Sequence, residues 1–261
     1  MSEIVVVDAG VGNLGNLKRA VERVGARARI TDDPEAIAAS RRLVLPGVGA
    51  FRPPRERLRG ALEDALRHAL TEGAWLLGIC IGFQLLFEES SEFGATDGLG
   101  LLTGQVTSLP KGVELPHMGW NRLHDLADHP LLAGIPEGSY VYFVHTFAPE
   151  GVPDDERLAA ATHGRPFAAI CGRGRVLGTQ FHPEKSGERG LRLLRNYVEL
   201  SAEAGDPAVA LGSADRTPAR EREPAPERAP PRDREPDPER EPEREREPDS
   251  VETLHGPAAG D

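Results

Sequence analysis

Two short stretches of this chain carry residue types that can do covalent chemistry together. Gly78-Ile79-Cys80-Ile81-Gly82 joins the apolar run Trp75–Ile79 to a segment with helical character. A G-x-C-x-G sequence between a strand and a helix is the thiol form of a nucleophile elbow. The turn is sharp and its neighbours are close, so side chains must be absent at the flanking positions. Cys80 then stands at a helix N-terminus, where the helix dipole and a nearby imidazole favour thiolate, the reactive form. Taken alone, the same five residues also describe a buried structural cysteine between packing glycines. The second stretch, Phe181-His182-Pro183-Glu184, follows Val176–Gln180, which reads as a strand. A carboxylate two residues after a histidine can hold one ring nitrogen, fix the tautomer and leave the other nitrogen to face a thiol. By itself this could be a surface turn. Together the two stretches supply a nucleophile (Cys80), a base (His182) and a residue that orients the base (Glu184).

Such a set needs a frame that brings strand ends together. Ile4–Val7, Ala26–Ile30, Leu43–Leu45 and Trp75–Ile79 read as short buried strands. Asn16–Val24, Pro34–Ser40, Leu58–Glu72 and Phe83–Glu89 read as helices between and after them. This alternation predicts an α/β fold with a largely parallel sheet flanked by helices. After residue 100 the pattern changes to strands at Val106–Leu109, Tyr140–His145, Leu158–Thr162, Phe167–Cys171 and Val176–Phe181, with turn residues between, which predicts antiparallel members of a mixed sheet. Leu191–Ser201 is a closing amphipathic helix. The nucleophile elbow thus falls after a central strand.

The composition divides the 261 residues in two. From residue 205 to 261 the chain is Pro, Glu, Arg, Asp and Ala without an aromatic residue, which predicts a low-complexity disordered tail. Residues 1–204 are a comfortable size for one core. The tail holds 16 acidic and 9 basic side chains, so most of the formal net charge of −11 belongs to it. The body has no basic block of the kind a nucleic-acid groove needs. It has no apolar stretch of the ~20 residues that span a membrane and no leader pattern, and a cytoplasmic protein is expected. Cys80 and Cys171 make no disulfide framework, and no Cys/His spacing suggests a metal. Cys171 reads as core. His68, His124, His129, His163 and His255 receive no role, and His117 reads as a structural or interface residue.

The motifs resemble those of the class I, triad-type glutamine amidotransferases. The resemblance rests on Gly78-Ile79-Cys80-Ile81-Gly82-Phe83-Gln84, on Gln180-Phe181-His182-Pro183-Glu184, and on Leu45-Pro46-Gly47-Val48-Gly49. Within that family, four further stretches are similar to the glutaminase subunit of imidazole glycerol phosphate synthase. They are Gly10-Val11-Gly12-Asn13-Leu14, Pro116-His117-Met118-Gly119-Trp120-Asn121, Tyr142-Phe143-Val144-His145-Thr146-Phe147 and His182-Pro183-Glu184-Lys185-Ser186. The resemblance spans about residues 3–200. It implies that backbone N–H groups around Gly47, Val48 and Gly49, with that of Ile81, hold an oxyanion. It implies a glutamine pocket lined by Gln84, Glu92, His145, Thr146 and Phe147, and a partner face with Asn13, Asn16, Met118, Trp120, Tyr142 and Lys185. The implied partner is a (β/α)8 cyclase subunit that takes ammonia. With it the cyclase converts a phosphoribulosyl formimino-aminoimidazole carboxamide ribotide to imidazole glycerol phosphate and an aminoimidazole carboxamide ribotide, in histidine biosynthesis. No cofactor is implied. Two departures from the family's pattern are visible, Phe83 where Met is more usual and Ala9 where Tyr is more usual.

Three other readings stay open at this level. Gly10-Val11-Gly12-Asn13-Leu14-Gly15 is a formal G-x-G-x-x-G, with Asp32 and Asp33 near the position of a ribose-binding acid, as in a dehydrogenase. A triad glutaminase serving pyridoxal phosphate synthesis would share the elbow, although His117-Met118-Gly119-Trp120 speaks against it. A non-enzymatic binding module on the same fold would not need Cys80, His182 and Glu184 together.

Overall fold

Buried parallel strands need apolar residues on both faces, and that requirement organises the first half of the chain. In the computed structural model, which describes residues 2–203, β1 (Glu3–Val7), β2 (Arg27–Thr31), β3 (Arg42–Gly47) and β4 (Trp75–Cys80) are consecutive members of one sheet. Every residue of β3 and β4 is buried. Helix α1 (Leu14–Arg23) connects β1 to β2. The side chain of Asn13 caps it by accepting the Asn16 N–H, and it buries Leu17, Ala20 and Val21. Helix α2 (Pro34–Ala38) is capped by Asp33. Between β3 and β4 lie α3 (Arg52–Leu58) and α4 (Ala61–Thr71). The sequence predicts one helix from Leu58 to Glu72. The structure instead ends α3 at Leu58 and starts α4 at Ala61, because Gly60 between them has φ +79°, a left-handed geometry that no continuing helix adopts.

The elbow helix is also shorter than predicted. Helix α5 spans Ile81–Gln84 instead of Phe83–Glu89. The loop that follows takes over its carbonyls: Leu99 N–H donates to Leu85, Leu101 and Leu102 to Leu86, and Gly100 to Phe87. The loop N–H groups stand where those of a continuing helix would. Strands β5 (Glu89–Ser90), β6 (Thr96–Asp97) and β7 (Gln105–Ser108) come next, then β8 (His117–Arg122), β9 (Tyr140–His145) and β10 (Phe147–Glu150). The chain closes with β11 (Arg157–His163), β12 (Arg165–Arg173), β13 (Val176–Thr179) and α6 (Gly187–Glu203).

The main sheet has the order β11-β12-β13-β4-β3-β1-β2. From β13 to β2 it is parallel, and β12 and β11 add antiparallel strands at one edge. A smaller sheet, β10-β7-β5-β6, and the ribbon β8-β9 stand beside it. Helix α6 packs on the main sheet through Leu193, Leu194 and Tyr197, and the Tyr197 hydroxyl donates to the Leu43 carbonyl at 2.7 Å. The consequence for chemistry is positional. Strands β3, β4 and β13 are parallel neighbours, so their C-terminal ends lie side by side. Gly47 pairs with Cys80 and Thr179 with Ile79. Residues just past those three ends therefore meet, as ligands do at the strand ends of open α/β sheets. The predicted tail, 205–261, lies outside the described residues.

Candidate active site

At the end of β4, Cys80 has φ +54°, the left-handed region where a side chain is strained. Its neighbours show why the flanking positions are glycine. A Cβ on Gly82 would sit 1.8 Å from the Leu45 carbonyl oxygen, and one on Gly78 2.8 Å from the Phe83 Cα. A Cβ on Gly47 would lie 2.8 Å from that of Ile81. The elbow is thus pressed against the end of β3. Cys80 caps a helix of only four residues, so the dipole expected from the sequence is that of a single turn. Any larger support for a thiolate has to come from side chains.

His182 lies three residues beyond β13, and its N–H donates to the Tyr142 carbonyl of β9 at 3.0 Å. Its carbonyl accepts from the Ser186 hydroxyl at 2.6 Å, and that hydroxyl oxygen accepts the Tyr142 N–H at 3.0 Å. The ring is therefore fixed to β9 at both ends of its backbone. Nδ1–H donates to Glu184 Oε1 at 2.8 Å, with both side chains at most 5% exposed. Nε2 makes no well-aligned hydrogen bond among the described residues but interacts electrostatically with Cys80. Burial opposes charge on this ring. Contact with Cys80 and with the Glu184 carboxylate outweighs it, and the pKa is pushed up to about 9.

These groups open onto a pocket of about 480 Å³, within the range of small-molecule sites. Of the residues expected around a ligand, the pocket brings together Val48, Gly49, Cys80, Ile81, Gln84, Glu92, His145, Thr146, Phe147 and His182. Gly47 lies beneath the elbow and Glu184 behind His182, and neither lines the pocket. Glu92 is half-buried, and its Oε2 accepts the Phe51 N–H at 2.7 Å. Gln84 donates from Nε2 to the Phe147 carbonyl at 2.9 Å and to Gln180 Oε1 at 3.1 Å. Its own Oε1 is buried without a partner among the described residues. Gln180 in turn places Nε2 3.9 Å from Cys80 Sγ.

Asn13 and Lys185 also reach the pocket mouth, whereas Asn16, Met118, Trp120 and Tyr142 do not line it. Met118 and Trp120 are 62% and 57% exposed on the outer face of the β8–β9 ribbon. Trp120 pairs with Tyr142 across the ribbon, and Lys185 Nζ stands 5.8 Å above the Tyr142 ring. An exposed apolar face thus adjoins the pocket. The departures Phe83 and Ala9 are both buried. The Phe83 ring fits because residue 178 is glycine, where a Cβ would lie 2.2 Å from Phe83 Cδ2.

Sequence reasoning gave no role to Gln180, although it sits two residues before His182, nor to Pro116 and Val144, which complete the pocket lining. It also assigned nothing to His163, which stacks on His117 at 4.2 Å. Cys171 is buried as expected, and burial drives its thiol pKa far above the ordinary range. The acids of the dinucleotide-like window are used elsewhere, with Asp32 paired to Arg57 at 2.7 Å and Asp33 capping α2.

A strained cysteine at a strand end, a carboxylate-held histidine beside it and a glycine-lined elbow define a class of protein. The sequence matches the class-I glutamine amidotransferase family over residues 5–200. The imidazole glycerol phosphate synthase subunit HisH of Symbiobacterium thermophilum is 48% identical over 201 residues, covering 77% of this chain and 95% of that protein. The HisH subunit of Syntrophotalea carbinolica is 44% identical over 208 residues, covering 76% and 100%. Among solved structures, one described as a glutamine amidotransferase has a TM-score of 0.61 at 25% identity and covers 76% of this chain and 98% of that one. The chain belongs to the class-I glutamine amidotransferases and, within them, to the HisH subunits of imidazole glycerol phosphate synthase.

Proposed function

We propose that this chain hydrolyses glutamine through Cys80, His182 and Glu184 and passes the ammonia to a cyclase subunit. The observation that carries the reading is the buried His182–Glu184 pair beside Cys80 at the mouth of one pocket. Cys80 Sγ attacks the side-chain amide carbon of glutamine. The tetrahedral oxyanion takes backbone N–H groups of Ile81 and of the Gly47–Gly49 loop. His182, as imidazolium, gives its Nε2 proton to the leaving nitrogen, and ammonia departs. Water then attacks the γ-glutamyl thioester, His182 takes the proton, and glutamate and the thiol are released. Glu184 holds Nδ1 throughout and stabilises the imidazolium. Glu92 is the carboxylate in the pocket lining and suits the α-ammonium group of glutamine. Gln84, held through its amide nitrogen by Phe147 and Gln180, lines the pocket beside Cys80.

The ammonia serves the synthesis of imidazole glycerol phosphate, in histidine biosynthesis. The partner in this reading is a (β/α)8 cyclase that docks on Asn13, Asn16, Met118, Trp120, Tyr142 and Lys185, the exposed ribbon and the pocket mouth. The compartment is the cytoplasm, and the free thiols Cys80 and Cys171 suit a reducing one. The test is a reconstituted pair supplied with either glutamine or ammonia. Cys80→Ala should abolish the glutamine-dependent cyclisation alone. The chain without its partner should turn over glutamine slowly, because the Pro46–Gly49 loop is set by docking. Equal glutaminase rates with and without the cyclase would contradict that part.

A further inference from the structure

The side of the pocket formed by His145 and Phe147 is organised by a chain of hydrogen bonds whose proton positions can be deduced. The Phe147 carbonyl can only accept, so His145 Nδ1, 2.9 Å away, must carry a proton. In a neutral ring His145 Nε2 is then an acceptor, and His117 Nδ1 at 2.9 Å must donate to it. That leaves His117 Nε2 as an acceptor, and the Asn121 amide supplies the donor at 3.0 Å. The same amide nitrogen spends its other hydrogen on the Thr162 carbonyl at 2.9 Å. Every link agrees with a single assignment, in which both rings are neutral and both are protonated on Nδ1.

The far end of this chain reaches the reacting residues. The Phe147 carbonyl accepts from His145 and also from Gln84 Nε2. Both facing groups must be donors, which fixes the Gln84 amide with its nitrogen towards Phe147 and Gln180. Its oxygen is left buried and unpartnered, on a side chain that belongs to the pocket lining. Gln180, held by Gln84, turns its own amide nitrogen towards Cys80.

We propose that His117 is a positioning residue for glutamine. By donating from Nδ1 it holds His145 in the Nδ1–H tautomer, and through the shared Phe147 carbonyl it keeps the Gln84 side chain fixed in the pocket lining. The inference rests on the glutaminase reading of that pocket. A His145 ring protonated instead on Nε2 would set a lone pair against the Phe147 carbonyl oxygen and would face the His117 N–H with its own. The wall would then lose the bond that fixes Phe147 and Gln84. Burial also disfavours charge on both rings, with the His117 pKa lowered to about 4 and the His145 pKa to about 3. The neighbouring titratable groups, His163 and His182, add to that effect. His117 is itself fixed, stacked between His163 at 4.2 Å and Phe143 at 4.9 Å.

The experiment is ¹⁵N NMR on the histidine-labelled full chain in complex with its cyclase, with kinetics on the same complex. In the unsubstituted protein, His117 and His145 should each show a protonated Nδ1 and an unprotonated Nε2 between pH 6 and 8. An Nε2–H tautomer at either ring would overturn the proposal, and this measurement needs no variant. His117→Phe keeps the ring stack but removes the donor. It should release His145 from the single tautomer and raise the KM for glutamine ~10-fold, with a smaller change in kcat, as expected for an unpaired buried acceptor. Ammonia-dependent cyclisation should stay within about twofold. An unchanged KM together with an unchanged His145 tautomer would also overturn the proposal. Failure of the glutaminase reading itself looks different: the unsubstituted complex would use ammonia and not glutamine.

Discussion

His182 and His145 line the same pocket, are both buried, and are displaced in opposite directions from the ordinary histidine range. The pKa of His182 is raised to about 9 and that of His145 lowered to about 3. Desolvation opposes charge on both. Depth therefore cannot be the cause of the difference. The cause is the set of partners around each ring, and for His182 the first of these is Cys80. Behind His182 stands the Glu184 carboxylate at 2.8 Å, which can neutralise an imidazolium. Behind His145 stand a carbonyl at one nitrogen and the His117 imidazole at the other, and neither carries a negative charge. In the proposed mechanism one side of the pocket holds a proton that moves, and the other holds protons still.

The largest way to break this contrast is to remove the nucleophile. Cys80→Ala should lower glutamine-dependent cyclisation at least ~10⁵-fold, with ammonia-dependent cyclisation within about twofold. Removing the charge behind the working histidine comes next. Glu184→Ala should reduce kcat about 10³-fold. It should also move the basic limb of the rate profile, because His182 is raised and keeps its proton until about pH 9. Activity that needs the imidazolium should fall as pH passes about 9 in the unsubstituted complex, and at a lower pH in the variant. The corresponding stability is fully present below about pH 6.5 and is lost as pH rises through about 9, and thermal unfolding as a function of pH measures it. Trp120→Ala, on the exposed ribbon beside both walls, should weaken cyclase binding roughly 30-fold by titration calorimetry while leaving the histidine titrations in place. Smallest is the outer wall, where His117→Phe should cost ~10-fold in KM.

The triad side was legible in the sequence because its chemistry is local. Cys80 is framed by Gly78 and Gly82 within five residues, and His182 and Glu184 are two apart. The parallel strands were legible for a related reason, since β3 and β4 are buried on both faces and read as unbroken apolar runs. The neutral wall was not legible. His117, Asn121, His145 and His163 lie on β8, β9 and β11, and it takes both the pairing of β8 with β9 and the packing of β11 against β8 to bring them into contact. Strand β8 itself, with Gly119 and Asn121 in its run, lacks the alternation that would have marked it. The helical boundary missed at Gly60 is set by a left-handed glycine, and the one after Gln84 by carbonyls bonded to the following loop; side-chain periodicity records neither.

Cys80 is the proposed nucleophile, and the chain carries its own control in Cys171. Both thiols are free and buried, but Cys80 opens onto the pocket whereas Cys171 lies in the core with its thiol pKa driven far up. The complex with its cyclase, treated with a glutamine-mimicking electrophile and mapped by mass spectrometry, should carry one adduct, on Cys80. Glutamine should protect against it, and His182→Ala should lose it. Labelling confined to Cys171, or full glutamine turnover by a protein lacking the Cys80 thiol, would contradict the account.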